Sequence, residues 1–294
     1  MEIIDRYQTM TPDNVGGKFY SQARLKAEGL PVPGFFCLSA SLFDRLVQPL
    51  RHRIEIHLAG VDLNDRNHLQ KAARHIAALI SEIRFDPATE AAILARFDER
   101  FGPNPTVSVR ASMVAKRREF SEDSADNPFA GISDSYLYVS RSQLLTRIRD
   151  CWASAFGEKA LVYRLSQGID LLDVSVAVGI QRMVDGERSF VMFTCDPTSL
   201  ARDTVIVAGY GIGEGVVQET VPVDHYFIGC KTAQVRQVLA DKHSQLVRDQ
   251  TPGELTKRRS PRNCAKRPVC RSRRYTSSPT TAAESRRCSG CRKI

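Results

Sequence analysis

The chain has no apolar run approaching the ~20 residues that a helix needs to cross a bilayer, which excludes a helical membrane protein. Its first residues, Met1-Glu2-Ile3-Ile4-Asp5-Arg6, lack the basic start and apolar stretch of a secretory leader, so a cytoplasmic location is expected. Without an export signal, a disulfide framework is not expected from the 8 cysteines. No Gly-x-x-x-x-Gly-Lys-Ser/Thr loop is present. There is no Gly-x-Ser-x-Gly elbow or Ser-His-Asp pattern, and no internal repeat. The 6 histidines form no metal-type cluster. His68 and His75 share a helix face but lack a third ligand, so a solvated surface is the expectation for them.

The net charge of +9 is unevenly spread. Residues 251–294 hold 13 Lys/Arg against 2 Asp/Glu, so a slightly acidic body carries a strongly basic end. Polyanion binding can be argued for that end only. Cysteines divide in the same way. Cys37, Cys151, Cys195 and Cys230 sit in apolar contexts that suit small buried hydrophobes. Cys264, Cys270, Cys288 and Cys291 crowd the basic end.

Periodicity predicts helices over 17–30, from Ser39 or Ser41 to about Leu50, and over 66–84, 87–101 and 142–167. Strands are expected at Phe35–Leu38, Thr106–Arg110, Tyr136–Val139, Val174–Gln181, Ser189–Thr194 and Thr204–Ala208. A glycine-rich loop is expected at 209–215, and a closing hairpin from Tyr226–Ile228 and 232–239. Residues 115–128 read as a mobile polar loop, and 257–294 show no period. Helices first and strands later make an α+β or α/β protein. The expected domains are a helical lobe, 1–103, a strand-rich lobe, 104–250, and a basic low-complexity tail, 251–294.

Several residues are candidates for chemistry, each with a plainer alternative. Gly16-Gly17-Lys18 opens a helix. Glycines let backbone approach a ligand, helix-start amides favour phosphate and lysine adds a point charge, but a turn before a surface lysine has the same pattern. Arg110 lies in an apolar strand and needs a partner, either a phosphate or a structural ion pair. Gly131, in Phe129-Ala-Gly131, permits a close approach or simply a turn. Ser133 and Ser135 are hydroxyl candidates. Gln181 at a strand end can read an adenine edge or satisfy backbone groups. Gly211-Ile-Gly213-Glu214 lacks the third glycine of a dinucleotide fingerprint.

In order and spacing these segments resemble the nucleotide-binding domain of the phosphoenolpyruvate-synthase and pyruvate phosphate dikinase family. They are Val15-Gly-Gly-Lys18, Leu30-Pro-Val-Pro-Gly-Phe35, Val107-Ser-Val-Arg-Ala-Ser112, Phe129-Ala-Gly131, Tyr163-Arg164, Gln181-Arg-Met-Val184, Met192-Phe-Thr-Cys-Asp-Pro197 and Gly211-Ile-Gly-Glu214. The resemblance covers roughly residues 10–250 and implies an ATP-grasp-like two-lobed fold that binds ATP and Mg²⁺ and phosphorylates a histidine on a separate swivelling domain. Carried over residue by residue, it implies that Lys18 and Arg110 hold ATP phosphates, Gly131 and Ser135 line the phosphate loop, and Gln181 contacts the adenine side. It also implies a parent reaction converting ATP, pyruvate and water to phosphoenolpyruvate, AMP and phosphate, with rifamycin or another small molecule as the alternative acceptor. A non-catalytic interaction module whose tail binds polyanions is the rival from another class.

Three positions depart from the family pattern: the 113–128 loop, Ile132 in place of glutamine and Glu219 in place of a small residue. The family's later Asp-x-Glu-Trp and Gln-x-Arg-Pro segments, and its phosphohistidine setting, do not occur in these 294 residues. The Mg²⁺ ligands are therefore expected to be missing, and this chain alone is expected to be inactive. The composition change near Gln250 suggests a shifted reading frame. Permitted codons read from the third base of Val269 allow an amphipathic, family-like helix. The rival is a functional basic tail that binds nucleic acid non-specifically, with zinc at Cys288 and Cys291.

Overall fold

The computed structural model describes residues 2–114, 133–199, 201–232, 234–249, 254–260 and 267–270. These form two compact units, residues 1–183 and 184–294. No described helix is long and apolar enough to cross a membrane.

The first unit is built on strands β1 (Ile3–Ile4), β2 (Phe35–Leu38), β3 (Val107–Val114), β4 (Ser135–Val139) and β5 (Ser175–Arg182). They form one antiparallel sheet in the order β1-β2-β5-β3-β4. Around it lie helices α1 (Pro12–Ala27), α2 (Ala40–Val47), α3 (Arg51–Leu58), α4 (Arg66–Ser81), α5 (Pro87–Phe101), α6 (Leu144–Ser154) and α7 (Glu158–Ser166). Successive side chains of a strand face opposite ways, and apolar side chains pack on both faces of this sheet. Val107, Val109, Ala111, Val176, Val178 and Ile180 join the large core with Phe36, Phe97 and Trp152. Phe35 and Cys37 pack on the other face with Val15 and Phe19 of α1. Phe19 lies directly over Gly179, where an added Cβ would stand 1.8 Å from its ring. That position in β5 has room for no side chain.

Local chemistry sets the boundaries. Pro12 occupies the first turn of α1, and the Asn14 side chain accepts from the Thr11 amide at 2.7 Å. Asp65 and Asp86 cap α4 and α5 by accepting from the amides of His68 and Thr89. Gly102, at φ 76°, ends α5.

The second unit pairs β6 (Arg188–Phe193), β7 (Thr204–Tyr210), β8 (Asp224–Ile228) and β9 (Val235–Val238) in chain order, all antiparallel. A separate hairpin joins β10 (Ser244–Arg248) to β11 (Leu255–Arg259). A short helix, α8 (Gly213–Val217), follows β7. Antiparallel pairing throughout the strands, with helices concentrated in the first unit, makes the fold α+β.

Four expectations change. The sheet joins β2 to β5 and β3, so it runs across the expected boundary at 103/104, and the units divide after Met183. The helix expected over 142–167 is two helices, because Gly157 caps a new one after α6 ends. The glycine loop expected at 209–215 is mostly regular, since β7 runs to Tyr210 and α8 begins at Gly213. The segment without apparent period contains β11, whose register with β10 is fixed by the backbone ladder. The 115–128 loop and most of the basic end lie outside the described residues.

Candidate functional site

The α1 segment contains a break. Gly16 adopts φ 72° and ψ 164° inside it, so the helix restarts at Gly17. Glycine is required there twice over. The left-handed φ strains other residues, and an added Cβ would lie 2.1 Å from the Ser112 Oγ of β3. A helix that restarts presents first-turn amides outside its own hydrogen-bond ladder. The break thus brings helix-start backbone against β3 at residue 112, the arrangement that favours an anion.

Lys18 follows in the first turn. Its Nζ donates to the Ala111 carbonyl at 2.7 Å and to Ser133 Oγ at 3.3 Å. Ser133 Oγ in turn donates to the same carbonyl at 3.4 Å. Arg110 precedes Ala111 and is half-buried on β3, where it pairs in register with Ser135 of β4 on one side and Gly179 of β5 on the other. Alternation puts Arg110 and Ser112 on the sheet face that α1 covers. The structure therefore brings Lys18, Arg110, Ser133 and Ser135 to one stretch of β3. Gly131 lies outside the described residues.

Ser112 is 0% exposed, and its hydroxyl has no hydrogen-bond partner among the described residues. An orphaned buried hydroxyl is unfavourable, and this one sits at the helix break beside a lysine and an arginine. A phosphate oxygen is the kind of group these donors suit. In the sequence, the only signal for Ser112 is its spacing from Arg110.

Gln181 stands apart from this cluster. It is 7% exposed, and its Nε2 donates to Gln22 Oε1 of α1 at 2.7 Å and to the Pro33 carbonyl at 3.3 Å. Its amide thus ties the end of β5 to α1 and to the Pro31–Gly34 turn, with its register partners Phe35 and Ser108 alongside.

Beneath the site, Cys151 of α6 is buried and its thiol points to the Val109 carbonyl at 3.6 Å. Burial pushes this thiol far above its ordinary range, so it is a packing group and not a nucleophile. Cys37 is raised by burial in the same way. Arg164 of α7 is 2% exposed, with its pKa brought down to about 10 by burial.

In the second unit the glycines serve packing. Gly211, at φ 88°, lets Leu246 of β10 approach so closely that an added Cβ would meet its carbonyl at 2.1 Å. The Ile212 amide donates to that carbonyl at 2.9 Å. The main polar feature is Asp224. Its Oδ1 accepts from Lys242 Nζ at 2.6 Å and the Ala240 amide at 3.0 Å. Its Oδ2 accepts from Tyr226 at 3.1 Å and the Val269 amide at 2.9 Å. Asp224 and Lys242 side chains are both 0% exposed. Among the described residues no group of three or more His, Cys, Asp or Glu can hold a metal ion. None of them is assigned to Mg²⁺.

A helix break, a lysine, a strand arginine and a buried hydroxyl thus converge on residues 110–112 of β3. Residues 12–275 match the family described as "Pyruvate phosphate dikinase, AMP/ATP-binding domain", and the chain belongs to it. The match runs past Gln250, where the resemblance was expected to stop. The chain is 32% identical over 256 residues to a probable phosphoenolpyruvate synthase of Methanocaldococcus jannaschii, covering 84% of this chain and 21% of that protein. It is 28% identical to the phosphoenolpyruvate synthase of Pyrococcus furiosus, covering 82% of this chain and 34% of that one. A rifampicin phosphotransferase of Bacillus cereus is 30% identical over 78% of this chain and 26% of its own length. The chain thus spans well under half the length of these relatives.

Proposed function

We propose that the chain is the ATP-binding domain, ATP-grasp-like in fold, of a cytoplasmic phosphoenolpyruvate-synthase-like phosphotransferase. The carrying observation is the convergence of the Gly16 break, Lys18, Arg110 and Ser112 on residues 110–112 of β3. In this reading Lys18 and Arg110 neutralise phosphate oxygens, Ser112 and the amides after Gly16 donate to them, and Ser135 and Gly131 edge the loop. Fixed positive groups and donors around a transferring phosphoryl are what this chemistry needs. Gln181 stands toward the adenine.

The parent reaction is ATP, pyruvate and water giving phosphoenolpyruvate, AMP and phosphate. The phosphoryl passes through a histidine on a separate swivelling domain. Mg²⁺ would shield the phosphate charges, but no residue described here is assigned to it.

The test is nucleotide titration of the full chain by calorimetry. Arg110→Ala should abolish measurable ATP binding and leave the thermal transition near its parental position. A large loss of stability with ATP binding retained would make Arg110 a structural cation and sink the reading.

A further inference from the structure

The stretch of β3 that gathers Lys18 and Arg110 is held from behind by a residue with no motif around it. Ser154 is the last residue of α6 and is mostly buried. Its Oγ donates to the Cys151 carbonyl one turn back, at 2.8 Å. That bond fixes the rotamer and aims a lone pair outward. The lone pair accepts the Asp134 amide at 3.3 Å. Asp134 lies between Ser133, which Lys18 touches, and Ser135, which stands opposite Arg110. The Asp134 carbonyl accepts the Ala111 amide at 3.2 Å, and Ala111 is the residue whose own carbonyl takes the Lys18 ammonium.

The end of α6 is itself fixed. The buried Arg164 guanidinium donates to the Ala155 carbonyl and lies 5.5 Å from the centre of the Phe156 ring. One turn earlier, Cys151 reaches the Val109 carbonyl. The last turn of α6 therefore grips β3 at Val109 and the lead-in to β4 at Asp134.

We propose that Ser154 is a positioning residue for phosphate binding: its hydroxyl sets the 133–135 lead-in against β3, and so sets where Lys18 and Arg110 meet the nucleotide. This rests on the nucleotide-binding reading above. A hydroxyl is the required group, because one oxygen both donates to Cys151 and accepts from Asp134. Threonine keeps both bonds and alanine loses both.

The experiment is ATP titration of the full chain, with Ser154→Ala and Ser154→Thr beside the parent, and amide hydrogen exchange read at Ala111 and Asp134 without nucleotide. Ser154→Ala should weaken ATP about three- to tenfold, on the scale of one hydrogen bond. It should speed exchange at both amides and leave the global melting transition little changed, and Ser154→Thr should restore affinity. Parental affinity in Ser154→Ala, even with faster exchange, would overturn the positioning role alone. So would a loss of affinity that threonine does not restore. A parent chain that binds no ATP would overturn the nucleotide reading and this proposal with it. Should Ser154→Ala not fold, Ser154→Cys, a weaker donor and acceptor, takes its place. Weakened binding then supports the proposal, and parental binding overturns it.

Discussion

In the first unit a five-stranded sheet buries apolar side chains on both faces, and one continuous core runs from Phe36 through Phe97 to Trp152. The second unit has a far smaller described core, Ala208, Tyr210, Tyr226 and Val269, while Phe190, Val217 and Val235 remain exposed. At the edge of that small core stands a carboxylate with four donors, one of them a buried ammonium. The first unit is held mainly by removing apolar area from water, a term that is spread over many residues. The second adds to its small core a buried polar knot, where losing Asp224 or Lys242 leaves the other charge buried and unpaired. The candidate phosphate site stands on the first kind of support.

The largest effect should come from breaking the knot. Asp224→Ala leaves Lys242 charged and buried, and should cost about 3–5 kcal/mol. Amide exchange should show residues 188–228 losing protection while β3 and β5 keep theirs. Loss of protection in both units together would erase the contrast. Replacing both partners, Asp224→Leu with Lys242→Met, should recover only part of the loss: the buried charge is gone, but the Ala240 and Val269 amides and the Tyr226 hydroxyl still lack their acceptor.

A smaller effect is expected at the helix break. Gly16→Ala adds a Cβ onto Ser112 at a left-handed φ. It should cost about 1–3 kcal/mol and weaken ATP more than its effect on stability would suggest. Calorimetry of binding and thermal melting on the same sample would separate the two. Unchanged affinity would remove Gly16 from the site.

The smallest effect concerns pH. The His57 and His75 rings of α3 and α4 stand 4.8 Å apart. The pKa of His57 is lowered by desolvation first, then by His75, Arg53 and Lys71. A histidine with a depressed folded value binds fewer protons folded than unfolded, so stability rises with pH across that window. Acidification from about pH 6.5, the ordinary histidine value, should therefore weaken the unit slightly until the folded value is passed. His57→Gln should flatten this part of the pH–melting curve. An unchanged slope would place the titration elsewhere.

Much of the fold could be read in advance where the chemistry is local. Asp86-Pro87 and Gly102 bracket α5, as a capping carboxylate, a first-turn proline and a left-handed stop should. Phe35–Leu38 and the strand beginning near Val107 were visible as apolar runs between turn residues. The Gly157 break was not, because the apolar period continues through it. β11 was hidden because Lys257, Arg258 and Arg259 are exposed and leave no apolar alternation.

The site divides in the same way. The sequence by itself determined the residue types: a glycine pair before a lysine, an arginine in an apolar strand, and a run of motifs whose order and spacing identify the family. Only the tertiary structure decided which of them meet. It put Lys18 on the Ala111 carbonyl, ninety-three positions away, and it seated Gly16 on Ser112. It bound the Gln181 amide to Gln22 and Pro33, and it brought Ser154 to Asp134. Such contacts depend on strand register and helix placement, and those are fixed by burial over the whole unit and not by any residue's neighbours in the chain.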